Sequence, residues 1–159
     1  MPGAAATLCP MSDNLPALEA RLGYRFRQPE LLQAALTHPS YRAEHDEVTA
    51  DNQRLEFLGD AVVQLILTKR LFAAHPEWSE GELTKLRATL TRRETLAAFA
   101  RELQLGDCLR LSRGEQRSAG SHRTSTLGDA FEALVGAMYL DADHDLTPAT
   151  ALINRLVET

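Results

Sequence analysis

The sequence predicts an all-α protein. Alternation of apolar and polar residues at period two is nearly absent, whereas apolar residues recur at helical spacing through most of the chain. These stretches also open and close on recognisable helix signals. A length of 159 residues suits one domain with a sizeable core.

Taken in order, residues 1–12 are small and apolar, with no basic segment and no long apolar run, and read as a disordered leader rather than a signal peptide. Residues 13–159 form the expected domain. Leu15, Leu18 and Leu22 give a helix over 14–22 that stops at Gly23. Pro29 suits a first helical position and opens a second helix, with Leu31, Leu32, Ala35 and Leu36 facing inward. The stretch Thr37-His38-Pro39-Ser40-Tyr41 breaks it, with His38 read as structural, and residues 44–51 read as loop. A long helix then runs from Asn52 to about Ala74, ending before Pro76 because the residue preceding proline disfavours helix. Ser79 with Glu82 reads as a capping box opening the next helix, and Thr91 with Glu94 as a second one. Gly106 is the expected stop, and residues 107–123 are mostly loop. A second strongly apolar helix covers 125–141, and Thr147-Pro148 starts the last one. Phe72 and Trp78 are assigned to the core.

Two helices carry the chemistry. Between Leu55 and Leu67 only Glu56, Gly59, Asp60 and Gln64 are not apolar, so the helix is hydrophobic all round and is expected to be buried. Glu56 and Asp60, four residues apart, share one face. In the second apolar helix Asp129 and Glu132 are three apart. Gly59, Gly128 and Gly136 flank these acids, and glycine inside a helix costs about 1 kcal/mol relative to alanine. That cost makes sense where another backbone must come close, so the two helices are expected to cross at their glycines and gather the four carboxylates. One such pair alone is usually a solvated face; two pairs, each in a run too apolar for a surface, are not ordinary. Burying carboxylates together requires compensating positive charge. Hard oxygen donors favour Mg²⁺ or Mn²⁺ over Zn²⁺. Such an ion suits phosphoryl chemistry, where it polarises phosphate and activates water.

Composition narrows the partners. A net charge of −5 argues against a general nucleic-acid binder, so a polyanion must be held by a local basic patch or through metal ions. No apolar run approaches the length of a membrane span. Cys9 and Cys108 are isolated, which supports neither a disulfide framework nor a CxxC site and fits a reducing cytoplasm.

The segment Asn52-Gln53-Arg54-Leu55-Glu56-Phe57-Leu58-Gly59-Asp60-Ala61-Val62 resembles the signature of the ribonuclease III family. Residues 31–40 (LLQAALTHPS), 86–91 (LRATLT) and 127–137 (LGDAFEALVGA) are similar to that family too, in the same order. The resemblance implies an all-α, dimeric endonuclease domain, without the double-stranded RNA-binding domain that bacterial members carry after it. It implies a homodimer whose valley takes double-stranded RNA, with one Mg²⁺-dependent site per half. Matched by position, Glu56, Asp129 and Glu132 are metal ligands, and Asp60 and Glu132 are catalytic. Products would carry 5′-phosphate and 3′-hydroxyl ends with short 3′ overhangs. Ribosomal RNA precursors are the implied targets, with some messenger and transfer RNA precursors. Glu80 matches a further acidic position near the cleavage site, although a first-turn acid also simply favours the helix dipole. Gln53 departs from the signature, which usually has glutamate there.

Arg110, Arg113, Arg117, His122 and Arg123 lie in the polar stretch before the second acidic helix and are candidate contacts to RNA phosphates. Two other functions compete: a catalytically weak RNA-binding and dimerisation module of the same fold, and a hydrolase of small phosphate esters. Loss of a central acid would favour the first, and an enclosed pocket the second.

Overall fold

The computed structural model describes residues 11–158, and among these there is no β-strand; one isolated bridge joins Thr37 and Arg110. Most of the expected leader therefore lies outside the described residues. The helices are α1 (Met11–Leu22), α2 (Pro29–Ala35), α3 (Pro39–Glu44), α4 (Gln53–Ala74), α5 (Glu80–Leu90), α6 (Arg93–Glu102), α7 (Arg113–Arg117), α8 (Thr124–Asp141) and α9 (Thr147–Glu158), with 3-10 turns at Leu105–Cys108 and Gly120–His122.

At the centre α8 is surrounded by α4, α6, α2 and α9. Its Phe131, Leu134, Val135 and Met138 form one stripe at most 1% exposed, and Ala133 and Ala137 on the opposite side are fully buried too, which a helix facing solvent on one side would not allow. They pack on Val62, Val63, Ile66 and Leu67 of α4 and on Leu96, Ala97 and Phe99 of α6, within one contiguous core. The crossing of α4 and α8 is a backbone contact. A Cβ added at Gly59 would lie 1.7 Å from the main-chain oxygen of Glu132, and one at Gly136 would lie 2.4 Å from that of Leu55.

Several expectations need correction. Gly128 does not take part in that crossing: it lies against the stem and carbonyl of Arg93 and against Leu96, on α6. The stretch 37–41 does not merely break α2 but starts α3, with His38 Nδ1 accepting from the Ser40 N–H as its cap. The second capping box is absent: Thr91 donates its hydroxyl back to the Arg87 carbonyl, so its oxygen serves the end of α5, and α6 begins after Arg92. Gly106 is not the stop of α6, which ends at Glu102 with Gln104 left-handed at φ 55°. It lets the chain pass the Ser121 carbonyl, 2.5 Å from where a Cβ would stand. The expected loop 107–123 contains the end of one 3-10 turn, α7 and the whole of a second 3-10 turn. Finally, α4 is not buried all round: Phe57 is 83% and Phe72 73% exposed, and Trp78 after it is 39% exposed, so neither Phe72 nor Trp78 is core.

Two polar anchors fix the surroundings of the crossing. Asp141, fully buried at the end of α8, accepts from the Tyr24 hydroxyl and from the backbone N–H groups of Arg27 and Gln28, tying the entry of α2 to α8. Buried Thr37 accepts from both Nε and Nη2 of Arg110, and the His38 N–H donates to the Arg110 carbonyl. Arg110, expected as an RNA contact, is thus committed to holding this turn, with its guanidinium 5.1 Å from the Tyr41 ring centre.

Replacing Gly59 or Gly136 by alanine forces two backbones apart. Urea unfolding of each variant is expected to show a loss of about 3 kcal/mol or more. Gly81→Ala, where nothing lies within 4 Å of the added carbon, is the control and should be neutral or stabilising by up to about 1 kcal/mol. Equal effects at the crossing and at Gly81 would refute the backbone contact.

Candidate metal centre

The crossing decides where the acids emerge. Glu56 and Asp60 bracket Gly59 on α4, and Glu132 supplies the very carbonyl that Gly59 touches, so their side chains leave the two helices beside the same contact. Carboxylate oxygens of Glu56, Asp129 and Glu132 lie within 4.8 Å of one another, the one such convergence of potential ligands among the described residues. Asp60 stands just outside this trio, exposed, and within hydrogen-bonding reach of Glu132. The four acids singled out from the sequence are therefore together.

Their electrostatics are unfavourable as they stand. Burial, then the charges of Asp60, Glu56 and Asp129 and a hydrogen bond with Asp60, push the Glu132 carboxyl up to about 8. Burial and the neighbouring Asp129 and Asp60 raise Glu56, against a lowering influence from Arg93. Burial raises Asp129, while Arg93 and His38 pull it back. A carboxyl that prefers its proton near neutrality marks a site short of positive charge. The donors are carboxylate oxygens, which suit a small hard cation, and such a cation would offset the burial that raises all three and the repulsion that further raises Glu56 and Glu132.

Two neighbours of the cluster were not singled out. Arg93, at the first position of α6, places Nη2 3.8 Å from Asp129 Oδ1. His38, read as structural, has Nδ1 engaged by the Ser40 hydroxyl at 2.7 Å and accepting from the Ser40 N–H, and it is near enough to Asp129 to lower that carboxyl. The signal for His38 was its turn, since a residue that caps a helix with one ring nitrogen leaves the other free. For Arg93 there was none, because its partner is on another helix.

The remaining candidates lie elsewhere. Glu80 is exposed at the start of α5, accepts from the Thr84 hydroxyl at 2.8 Å, and is not among the converging acids. Gln53 is likewise exposed, at the start of α4. Arg113 and Arg117 are exposed on α7. Arg123 pairs with Glu115 at 3.0 Å and bonds the Ser118 hydroxyl, so its charge is partly spent within the loop.

Comparison with known proteins identifies the family. Residues 28–157 match the family described as Ribonuclease-III-like. Ribonuclease 3 of Nitrosococcus oceani is 50% identical over 131 residues, which are 82% of this chain and 54% of that protein. Ribonuclease 3 of Cupriavidus necator is 49% identical over 143 residues, 90% of this chain and 53% of that protein. The nuclease domain of ribonuclease III from Campylobacter jejuni superposes with a TM-score of 0.82 at 39% identity, over 91% of this chain and 94% of that one. A second structure of that domain, described for flexibility in the region involved in dimer formation, gives a TM-score of 0.83 at the same identity, over 91% and 96% of the two chains. The chain belongs to the ribonuclease III family. It spans about half the length of the curated relatives it matches. No helix among the described residues is long and apolar enough to cross a membrane.

The raised Glu132 carboxyl has a measurable consequence. Its folded value of about 8 exceeds the ordinary 4.5, so the folded state holds a proton that the unfolded state releases. Without divalent ions, stability should therefore fall as pH rises from about 5 to 8. Thermal unfolding of Glu132→Gln should show a flatter slope, and at pH 8 a melting temperature a few degrees above wild type, on the scale of about 4 °C per kcal/mol. Saturating Mg²⁺ should flatten the wild-type slope. Identical slopes for the two metal-free proteins would show that Glu132 is not strained by its neighbours.

Proposed function

We propose that this chain is a divalent-metal-dependent endoribonuclease that hydrolyses double-stranded RNA, giving 5′-phosphate and 3′-hydroxyl ends with short 3′ overhangs. The observation that supports it is the convergence of three carboxylates within 4.8 Å on two helices held by a backbone crossing. On this reading Glu56, Asp129 and Glu132 hold Mg²⁺, with Mn²⁺ a substitute. When bound, the ion neutralises the cluster, polarises the scissile phosphodiester and acidifies water. The chain's own residues supply the rest. Glu132 gives up the proton it holds near neutrality and becomes a full anionic ligand. Asp60, outside the trio and exposed, offers a carboxylate oxygen to take a proton from attacking water. The rigid crossing keeps the donors in place without reorganisation.

Duplex RNA is read by shape and backbone rather than by sequence. The exposed Arg113 and Arg117 are the proposed phosphate contacts, with Arg123 added once its pairing with Glu115 is exchanged. Precursors of ribosomal RNA, with some messenger and transfer RNA precursors, are the proposed substrates, and the cytoplasm the proposed compartment. We read the working form as a homodimer. Phe57, 83% exposed, lines a cleft of about 890 Å³ together with Leu31, Leu55, Leu58 and Leu140 and with the polar Arg42, Asp51, Gln53 and Arg54. A large exposed ring in a cleft with an apolar floor and polar rim on the same surface is what a two-fold, self-complementary contact uses.

The decisive experiment incubates a generic RNA duplex with wild type and Glu132→Ala, with and without Mg²⁺. Cleavage is expected only for wild type with the ion, and Glu132→Ala should lose at least about 100-fold in rate. Cleavage indifferent to either change would end the reading, and duplex binding without cleavage by wild type would favour an RNA-binding module instead. In the same assay Arg113→Ala with Arg117→Ala should weaken duplex binding; unchanged binding removes those contacts.

The dimer is tested by sedimentation, where Phe57→Ala should shift the population toward monomer. A wild-type protein that sediments as a monomer at high micromolar concentration would refute it.

A further inference from the structure

Arg93 is an odd residue to find where it is. It occupies the first position of α6, where a cation opposes the helix dipole, and Arg92 before it provides no side-chain cap. Its local setting therefore disfavours it. Across the helix interface the situation reverses. Gly128 of α8 has no side chain, and a Cβ there would stand 3.4 Å from Arg93 Cγ. The arginine stem lies over that bare backbone and carries its head to Asp129, the next residue along.

The contact itself is loose. Nη2 to Oδ1 is 3.8 Å, longer than a charge-assisted hydrogen bond, and the Arg93 side chain is 61% exposed. A guanidinium that is neither buried nor bidentate can leave at little cost. Arg93 is also the one guanidinium or ammonium among the described residues within ion-pair distance of the trio.

We propose that Arg93 is an internal counter-cation of the acidic cluster: it pairs with Asp129 while no divalent ion is bound, and competes with that ion for the same carboxylate, so that it sets the ion concentration at which the site fills. The inference rests on reading Glu56, Asp129 and Glu132 as a cation site, and makes Arg93 a positioning residue acting through Asp129. A fixed positive charge about 4 Å from a ligand lowers the affinity for a second cation, modestly at an exposed position.

The test measures Mg²⁺ affinity directly, by calorimetric titration of the full chain near neutral pH with MgCl₂ alone. Arg93→Ala and Arg93→Gln should each bind Mg²⁺ about threefold to tenfold more tightly than wild type. Arg93→Lys, which keeps the charge, should stay within about twofold of wild type. Thermal unfolding adds a second readout. Without ion the neutral variants should melt below wild type, and saturating Mg²⁺ should close or reverse that gap; a purely packing role would lower both. Unchanged or weaker Mg²⁺ binding in the two neutral variants would overturn the proposal while leaving the metal centre intact. A wild type that binds no Mg²⁺ would overturn both.

Discussion

The structure depends on one contact, the meeting of two main chains where α4 crosses α8. At Gly59 and Gly136 the helices are closer than any side chain would permit, and the acids lie around that contact: Asp60 follows Gly59, Glu56 is one turn before it, and Glu132 supplies the carbonyl that Gly59 meets. Apolar burial drives the approach. Burying a large side chain such as Phe131, Leu134 or Met138 contributes roughly 1.5–3 kcal/mol each. Repulsion among partly solvated carboxylates is smaller than that sum, and protonation relieves part of it. Packing therefore wins, and the site inherits carboxyls that hold their protons too tightly. An electrostatic deficit maintained by the hydrophobic core is what makes the cluster receptive to a cation.

The surroundings hold that geometry from outside. Asp141 locks the entry of α2 to the far end of α8, with every oxygen engaged by a donor of fixed direction. Thr37 and Arg110 hold the turn that presents His38. Arg123 and Glu115 brace the segment leading into α8. The first two sets join residues far apart in sequence, the third residues eight apart, and all hold loops where no helix could. Binding residues mounted on loops need a rigid scaffold behind them, and these bonds supply it.

How much of this could be read beforehand follows the range of each interaction. The spans of the longer helices and the Ser79 capping box are local, and they were readable to within a few residues, whereas the short α3 and α7 were not. The crossing was readable as well, because a glycine in an apolar helix has few reasons to be there. Gly128 shows the limit of that inference, since the same residue type served a different helix and made room for Arg93. Apolar composition also could not separate core from exposed face. Phe57 and Phe72 sit in α4 beside Leu55 and Leu71, and only coordinates distinguish those pointing outward. The pairing of Arg93 with Asp129 was not readable for the plainest reason: the partner is brought to it by the packing of α6 on α8 and by nothing in its own neighbourhood.

A chain of net charge −5 presenting four carboxylates is a poor host for a polyanion. The exposed cations of α7 do not by themselves outweigh such a cluster. On the reading developed above, a bound divalent ion would weaken the centre's repulsion of phosphate and offer it a direct cationic partner. Ion and RNA must then favour each other's binding, because a coupling free energy between two sites is reciprocal. Arg93 belongs in the same cycle. Its guanidinium partly neutralises Asp129 before the ion arrives, so the ion-free site is less repulsive to phosphate and less avid for metal than the trio alone would be. Keeping one mobile cation at the rim moderates both affinities together, through a residue that need touch neither ligand.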